Sequence, residues 1–267
     1  MKDAIDVPAT DDPAALGPWF HNLHLPGGVQ TAPDHRFGDF PRFKWLEIAP
    51  HLPADLSGWR ALDIGCNAGF YSFELARRGA EVTGIDLDPH YLRQAAWAAG
   101  RMGLPVTFRR QQVYDLARSG ERFDLVLFMG VFYHLRYPLL ALDALARVEP
   151  RLMVFQTLTA DTGEGGEAPA PPFDFEERDR LTRRDHPFMA FIEGRFADDP
   201  TNWWAPNHAG ICAMLRSAGF RIEARPGHEI YLCRRDPAAA VWPAEEGEFR
   251  SAAGLPATHR THASEKE

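Results

Sequence analysis

The sequence predicts an α/β fold in which a mostly parallel sheet is covered by helices on both faces. Three observations carry this. From Trp59 onward, short apolar runs of strand length alternate with stretches of helical length, which is the pattern of successive βαβ units. The runs Phe123–Met129 and Leu152–Thr157 are almost continuously apolar, as strands buried on both sides must be. At Leu62–Phe70 a strand breaks at glycine and runs straight into a helix.

Taken in order, residues 1–18 are rich in Asp, Ala and Pro and are expected to be loosely ordered. Residues 19–55 form an expected cap, dense in aromatics (Trp19, Phe20, Phe37, Phe40, Phe43, Trp45) and ending in a short helix near Arg42–Ala49. The main domain, 56–236, is read as strand Arg60–Ile64, helix Phe70–Arg78, strand Glu81–Asp86, helix Pro89–Ala99 and strand Val106–Arg109. Strand Phe123–Met129, helix Pro138–Val148 and strand Leu152–Thr157 follow. Asp161–Pro172 carries six Gly and Pro residues and reads as a loop or hinge. It opens an insertion, 160–206, expected to be a lid or substrate-facing excursion. Helix Asn207–Ala218 and the runs Arg221–Ala224 and Glu229–Arg234, turning at Pro226-Gly227, close the domain. The tail, 237–267, has a disordered composition.

Composition excludes several classes. The chain has 267 residues, 45% hydrophobic, with 29 basic against 37 acidic side chains and a net charge of −8. It contains no apolar run of about 18 residues, so no membrane span is expected. The acidic N-terminus lacks the pattern of a secretory leader. Three widely spaced cysteines, Cys66, Cys212 and Cys233, argue against a disulfide framework or a Cys-based zinc site. A cytoplasmic, reduced location is the expectation. Only Lys2, Lys44 and Lys266 are lysines, so Lys44 is the one lysine away from the termini.

The glycine turn, Asp63-Ile64-Gly65-Cys66-Asn67-Ala68-Gly69-Phe70, lets a ligand approach backbone closely. The acid Asp86, with Leu87 and Asp88, follows Asp63 by 23 residues at the end of the next strand, where a carboxylate accepts hydrogen bonds from ribose hydroxyls. Asn67 stands where a dinucleotide fingerprint has its middle glycine, and there is no phosphate-binding G-x-x-x-x-G-K-[ST] loop. An adenosine cofactor without phosphates fits better. Asp63 agrees with that, since an anion suits a sulfonium and an amino group and would repel a pyrophosphate.

The runs D-I-G-C-N-A-G-F, G-I-D-L-D and F-D-L-V-L-F-M-G-V-F-Y-H resemble the motifs of class I S-adenosylmethionine-dependent methyltransferases. Gly38-Asp39, Lys44-Trp45, Pro50-His51-Leu52, Leu56-Ser57-Gly58 and Met129-Gly130-Val131-Phe132-Tyr133-His134 are similar to the tRNA wobble-uridine (5-hydroxyuridine) carboxymethyltransferase-like group. The resemblance spans roughly 19–235 and implies a Rossmann-like class I methyltransferase sheet with a final antiparallel strand, an N-terminal cap and an insertion before the last helix. It implies S-adenosyl-L-methionine as cofactor. Carried over, Gly65 lies against the cofactor with Asn67 and Gly69 in the same turn, and Asp86, Leu87 and Asp88 hold the ribose. Val113 and Tyr114 flank the adenine, Met129 and Tyr133 line the methyl-transfer end, and Lys44 sits near the cofactor. The group's other carboxylate-binding basic residues, one before Asp39 and one on the last strand, have no counterpart here, which favours ordinary S-adenosylmethionine over a carboxylated form.

Tyr133 and His134 are the catalytic candidates, with His134 readable either as a general base near neutral pH or as a cap on the helix after it. The aromatic cap can be packing or a cation-facing surround for a sulfonium; Trp203 and Trp204 can stack on a planar substrate or anchor the insertion. His21 and His24 lack a third ligand, so no metal is expected. The mixed-charge stretch Glu176–Asp185 reads as a solvated face, or as a nucleic-acid patch. The expected function is methyl transfer to an oxygen of a small molecule or sugar-containing metabolite. The alternatives are modification of tRNA at the wobble uridine and cofactor binding without turnover. The sequence does not set the oligomeric state.

Overall fold

The computed structural model describes residues 5–161, 163, 166, 168–240 and 245–257. Helix α1 (Arg42–Ile48) precedes the sheet, and β1 (Arg60–Ile64), α2 (Phe70–Arg77), β2 (Glu81–Asp86), α3 (Pro89–Met102) and β3 (Val106–Arg110) form its first half. Then come α4 (Leu116–Ser119), β4 (Leu125–Met129), α5 (Pro138–Arg147) and β5 (Leu152–Gln156). A two-stranded ribbon, β6 (Met189–Phe191) with β7 (Trp204–Pro206), leads to α6 (His208–Ser217), β8 (Phe220–Gly227), β9 (Ile230–Arg235) and α7 (Glu246–Ala252).

The seven strands run in the order β3-β2-β1-β4-β5-β9-β8. The first five pair in parallel, and β9 is antiparallel to both β5 and β8. The expected Rossmann-like sheet with its final antiparallel strand is therefore present. All residues of β4 and β5 are buried, because alternate side chains enter opposite layers. Leu125, Leu127 and Met129 join α2, α3 and the cap residues Trp45 and Ile48, whereas Val126 and Phe128 join α5 and α6. On the edge strand β8 burial alternates, the pattern of a strand with one wet face.

Several boundaries depart from the sequence reading. The turn expected at Pro226-Gly227 lies further on, since β8 continues through Gly227 and the chain reverses over His228–Glu229. Pro226 is tolerated there because an edge strand need not donate its N–H. Residues 5–18 are not loose: Leu16 is buried, the Trp97 indole donates to the Thr10 carbonyl at 2.8 Å, and the Gln94 amide donates to the carbonyls of Leu16 and Pro18. Within the tail, α7 buries Phe249 beneath the Arg147 guanidinium; composition hides one anchoring aromatic among Ala, Pro and Glu. Residues 258–267 lie outside the described residues.

Among the described residues the insertion forms no core cluster of its own, and Phe175, Phe191 and Phe196 are exposed. It is fastened instead by hydrogen bonds. Trp203 N donates to the Tyr133 carbonyl at 2.9 Å and Trp204 Nε1 to that of Leu135 at 3.1 Å. Buried Asn207 donates to the carbonyls of Arg184 and His186, accepts from Phe188 N, and caps α6 through Gly210 N.

Candidate active site

Strand order reverses between β1 and β4. In an open parallel sheet the loops leaving neighbouring strands diverge at such a point, and a crevice opens at the carboxyl ends. A cavity of about 890 Å³ lies there, reaching from the cap (His21, Lys44) across Gly65, Asp86 and Met129 to Asp199 and Glu229.

The floor is the glycine turn. Gly65 has φ +67°, and a Cβ there would run into the Val131 side chain. Asn67 adopts φ +50°, which Asn tolerates better than most residues, and its side-chain oxygen accepts from Ala68 N at 2.7 Å. Asp86 ends β2: one carboxylate oxygen accepts from Asn67 N and the other from Asp88 N, both at 2.9 Å. A carboxylate has about four acceptor positions, so each oxygen retains capacity for a ligand hydroxyl. Burial raises its pKa against these backbone bonds.

Of the residues singled out by sequence, Lys44, Gly65, Asn67, Asp86, Leu87, Asp88, Val113, Met129, Tyr133 and His134 line this one cavity. Three do not. Asp63 is buried behind the wall with its carboxylate accepting from Ser72 Oγ at 2.6 Å, and burial pushes its pKa up to about 7. Gly69, at φ +87°, is filled around by Phe73 and Phe108, whose rings a Cβ would meet at 2.8 and 3.1 Å, so it serves the approach of helix to sheet. Tyr114 turns its hydroxyl to accept from Tyr137 N at 3.2 Å, while Gln111 and Gln112 line the cavity beside Val113. Asp88 also caps α3, accepting from His90 N at 2.8 Å.

Chemistry concentrates at the opposite end. The Lys44 ammonium is pulled below the ordinary lysine value by burial, with the Glu229 and Glu47 carboxylates opposing. Glu229 sits in the β8–β9 reversal at φ +62° and accepts from Thr159 N and Oγ1, each at 2.8 Å. Burial, with Glu229 and Asp199 adding, pushes the Tyr133 phenol up to about 12, so it remains a hydroxyl donor at neutral pH. Met129 supplies the apolar wall.

Sequence reasoning gave no role to Gln156, Asn202, Asp199, Thr201 or Glu229. Their only signals were position at the end of β5, in the insertion and at the last hairpin. Of the cap histidines, His21 is buried against this cavity and His24 Nε2 lies 2.8 Å from Asp39 Oδ1. Among the described residues no group of three or more His, Cys, Asp or Glu could hold a metal ion, and no helix is long and apolar enough to cross a membrane. Trp203 and Trp204 anchor the insertion. Arg180 and Arg183 pair locally with Glu177 and Asp185.

The residues fit an adenosine-bearing sulfonium. Asp86 has acceptor capacity for a ribose, and Gly65 leaves room where any side chain would intrude. Three buried polar atoms without a protein partner, His21 Nδ1, Gln156 Oε1 and Asn202 Oδ1, belong to residues lining the same cavity. Such atoms are costly unless a ligand or water satisfies them.

Residues 61–149 match the family described as a methyltransferase domain. The tRNA U34 carboxymethyltransferase of Azotobacter vinelandii is 34% identical over 189 residues, covering 68% of this chain and 51% of that protein. The ubiquinone biosynthesis O-methyltransferase of Cereibacter sphaeroides is 43% identical over 104 residues, 37% of this chain and 42% of that one. The chain spans about half the length of the curated relatives it matches. In structure, it shares its fold with the N-terminal domain of EvdMO1, solved in the presence of SAH and D-fucose, with a TM-score of 0.54, 22% identity and coverage of 84% of this chain and 94% of that one. Residues 61–149 are a methyltransferase domain, and the motifs, sheet order and these likenesses support a class I S-adenosylmethionine-dependent methyltransferase similar to the tRNA U34 carboxymethyltransferases.

Proposed function

We propose that the protein transfers the methyl group of S-adenosylmethionine to a hydroxyl of a small molecule or sugar-containing metabolite. The observation that carries the cofactor half is Asp86, fixed by two backbone N–H groups at the crevice with acceptor capacity left for a ribose. Gly65 and Asn67 then lie along the ligand, Leu87, Asp88 and Val113 border the nucleoside, and Lys44 reaches the carboxylate of the methionine moiety. The bound sulfonium supplies an electrophilic methyl group whose bond to sulfur breaks with its electron pair left on sulfur. The chain supplies alignment and exclusion of water, which is most of what such a displacement needs: Met129 as apolar wall, Tyr133 as a hydroxyl that orients the acceptor oxygen, and the insertion as cover.

The acceptor half rests on charge. The cavity is lined by Asp86, Asp88, Asp199 and Glu229 against Lys44 and Arg36, and the chain carries a net −8, which suits a neutral polyol or phenol better than a polyanion. The second reading is modification of tRNA at the wobble uridine, favoured by likeness to carboxymethyltransferases over 68% of the chain. The test is calorimetry with S-adenosylmethionine, followed by mass spectrometry of methyl transfer to a panel of phenols, sugars and total tRNA. Methylated phenol or sugar supports the proposal. Transfer to tRNA alone would establish the second reading, and absence of cofactor binding would overturn both.

A further inference from the structure

The insertion does more than cover the cavity, because it touches one titratable side chain at its edge. His134 belongs to the turn Phe132–His134, its ring 4.2 Å from that of Tyr133. It does not cap α5, whose N-cap position is Tyr137 and which has no side-chain cap. Its Nδ1 instead meets the insertion, lying 2.9 Å from Thr201 Oγ1 and 3.3 Å from the Thr201 carbonyl oxygen. Thr201 is in turn held by Asp199, whose Oδ1 accepts from Thr201 Oγ1 at 2.6 Å and from Thr201 N at 2.7 Å.

This chain of contacts fixes proton positions. Burial alone would raise the Asp199 pKa, but the Thr201 hydroxyl and amide, with His134, hold it below the ordinary carboxylate value. An ionised carboxylate only accepts, so the hydroxyl hydrogen of Thr201 points at Asp199 and its oxygen faces His134 as an acceptor. The Thr201 carbonyl can only accept as well. Nδ1 therefore carries the hydrogen, and Nε2 carries the lone pair. Among the described residues no protein hydrogen bond to Nε2 exists, and His134 lines the cavity together with Asp199, Thr201 and Tyr133.

We propose that Asp199 and Thr201 of the insertion are positioning residues that lock His134 in the Nδ1–H tautomer, so that Nε2 accepts the proton of the acceptor hydroxyl. The inference rests on the methyltransferase reading above. In the balanced step, a bond forms between the acceptor oxygen and the methyl carbon, the carbon–sulfur bond breaks with its electrons on sulfur, and the hydroxyl proton passes to Nε2. Burial depresses the His134 pKa while Asp199 and the Thr201 carbonyl oppose it. The groups facing it are Asp199 and Thr201 from the insertion and the Tyr133 phenol on its own turn. At neutral pH the ring is consequently an uncharged base, and an open insertion would leave its tautomer unset.

Long-range proton–nitrogen correlation NMR on histidine-labelled full-length protein reads the tautomer directly, with His134 assigned by its loss in His134→Gln. Protonated Nδ1 and unprotonated Nε2 are expected, shifting toward the Nε2–H form in Thr201→Val and retained in Thr201→Ser. Asp199→Asn should lower the pH midpoint of the ring. In the methyl-transfer assay, His134→Gln should lose about 100-fold in kcat and Thr201→Val about ten-fold, its acid limb following the NMR midpoint while the Kd for S-adenosylmethionine is unchanged. An Nε2–H ring in the wild type, or one unmoved by Thr201→Val, overturns the proposal while leaving the methyltransferase reading intact. An Nδ1–H ring in a protein that does not bind S-adenosylmethionine overturns both.

Discussion

Replacing Asp63 by Asn should make the protein's stability depend on pH in a way the wild type conceals. Asp63 and His21 are both almost fully buried and are displaced in opposite senses: burial raises the carboxyl from 3.8 to about 7, while burial, with His35 and Lys44 adding, lowers the imidazole from 6.5 to about 3. For Asp63 the folded state binds the extra proton between pH 3.8 and about 7, so its contribution to stability is intact below 3.8 and is lost as pH rises through that window. For His21 the unfolded state binds the extra proton between about 3 and 6.5, so stability is lost as pH falls through that window. Each slope is about 1.4 kcal/mol per pH unit, and over the shared window they cancel. Relative to wild type, Asp63→Asn should thus gain about 2 kcal/mol between about pH 4.5 and 6.5, and His21→Asn should lose about as much over the same interval. The double variant should track the wild type in slope. Urea denaturation at three pH values measures all four proteins. Stability differences that do not change with pH would refute the assignment of a neutral carboxyl and a neutral imidazole to these two positions.

On the proposed reading Asp86→Ala removes the acceptor for two ribose hydroxyls, each worth ~1.5–3 kcal/mol to a charged partner. Calorimetry should show S-adenosylmethionine affinity falling at least about 100-fold, and unchanged affinity would remove Asp86 from the site. Gly65→Ala adds a Cβ against Val131 at φ +67°; left-handed backbone and overpacking together cost about 3 kcal/mol, to be read as a lower thermal midpoint with loss of cofactor binding. Lys44→Ala should weaken S-adenosylmethionine binding about ten-fold, or ~1.4 kcal/mol, more than an exposed charge deletion gives. An unchanged dissociation constant would make Lys44 an ordinary cavity-edge cation. Phe249→Ala should destabilise the fold by about 3 kcal/mol, the low end for a buried Phe→Ala change, if α7 is docked as Phe249 burial indicates, and a silent substitution would show that it is not.

The sheet was legible because its signals are local and repeated. Continuous apolar runs such as Leu125–Met129 have no reading other than a strand buried on both faces once helices flank them. The nucleoside end was legible for a related reason: glycine conformation and a strand-end acid lie within 24 residues of sequence and need no distant partner. Asp63 shows where that reasoning stops. Its residue type suits a cation, but whether a strand-end carboxylate faces a crevice or a neighbouring helix depends on Ser72, nine residues on, whose partner the sequence does not declare. At the transfer end Lys44, Tyr133 and His134 were named only through the family resemblance, and Asp199, Thr201 and Glu229 were not named at all, because these groups come from four separated stretches: α1, the turn after β4, the insertion and the last hairpin. No periodicity links them. Their proximity is set by backbone hydrogen bonds such as Trp203 N to the Tyr133 carbonyl, which any residue can make.

Glu229 gives the sparse lysine count a physical meaning. Lys44, the one lysine away from the termini, faces the cavity already opposed by the Glu229 and Glu47 carboxylates. A cofactor bearing an extra carboxylate on its sulfonium would have to compete with Glu229 for the same ammonium, and would do so in a buried space where two like charges repel strongly. In the proposed pose ordinary S-adenosylmethionine brings a cationic sulfonium, which Glu229 attracts, and only one carboxylate for Lys44 to hold. Glu229 is held rigidly by two bonds from Thr159 at 2.8 Å, so it cannot swing aside without orphaning them. On the proposed reading this fixed negative group disfavours a carboxylated donor, in the same sense as the basic residues that the family resemblance left without a counterpart.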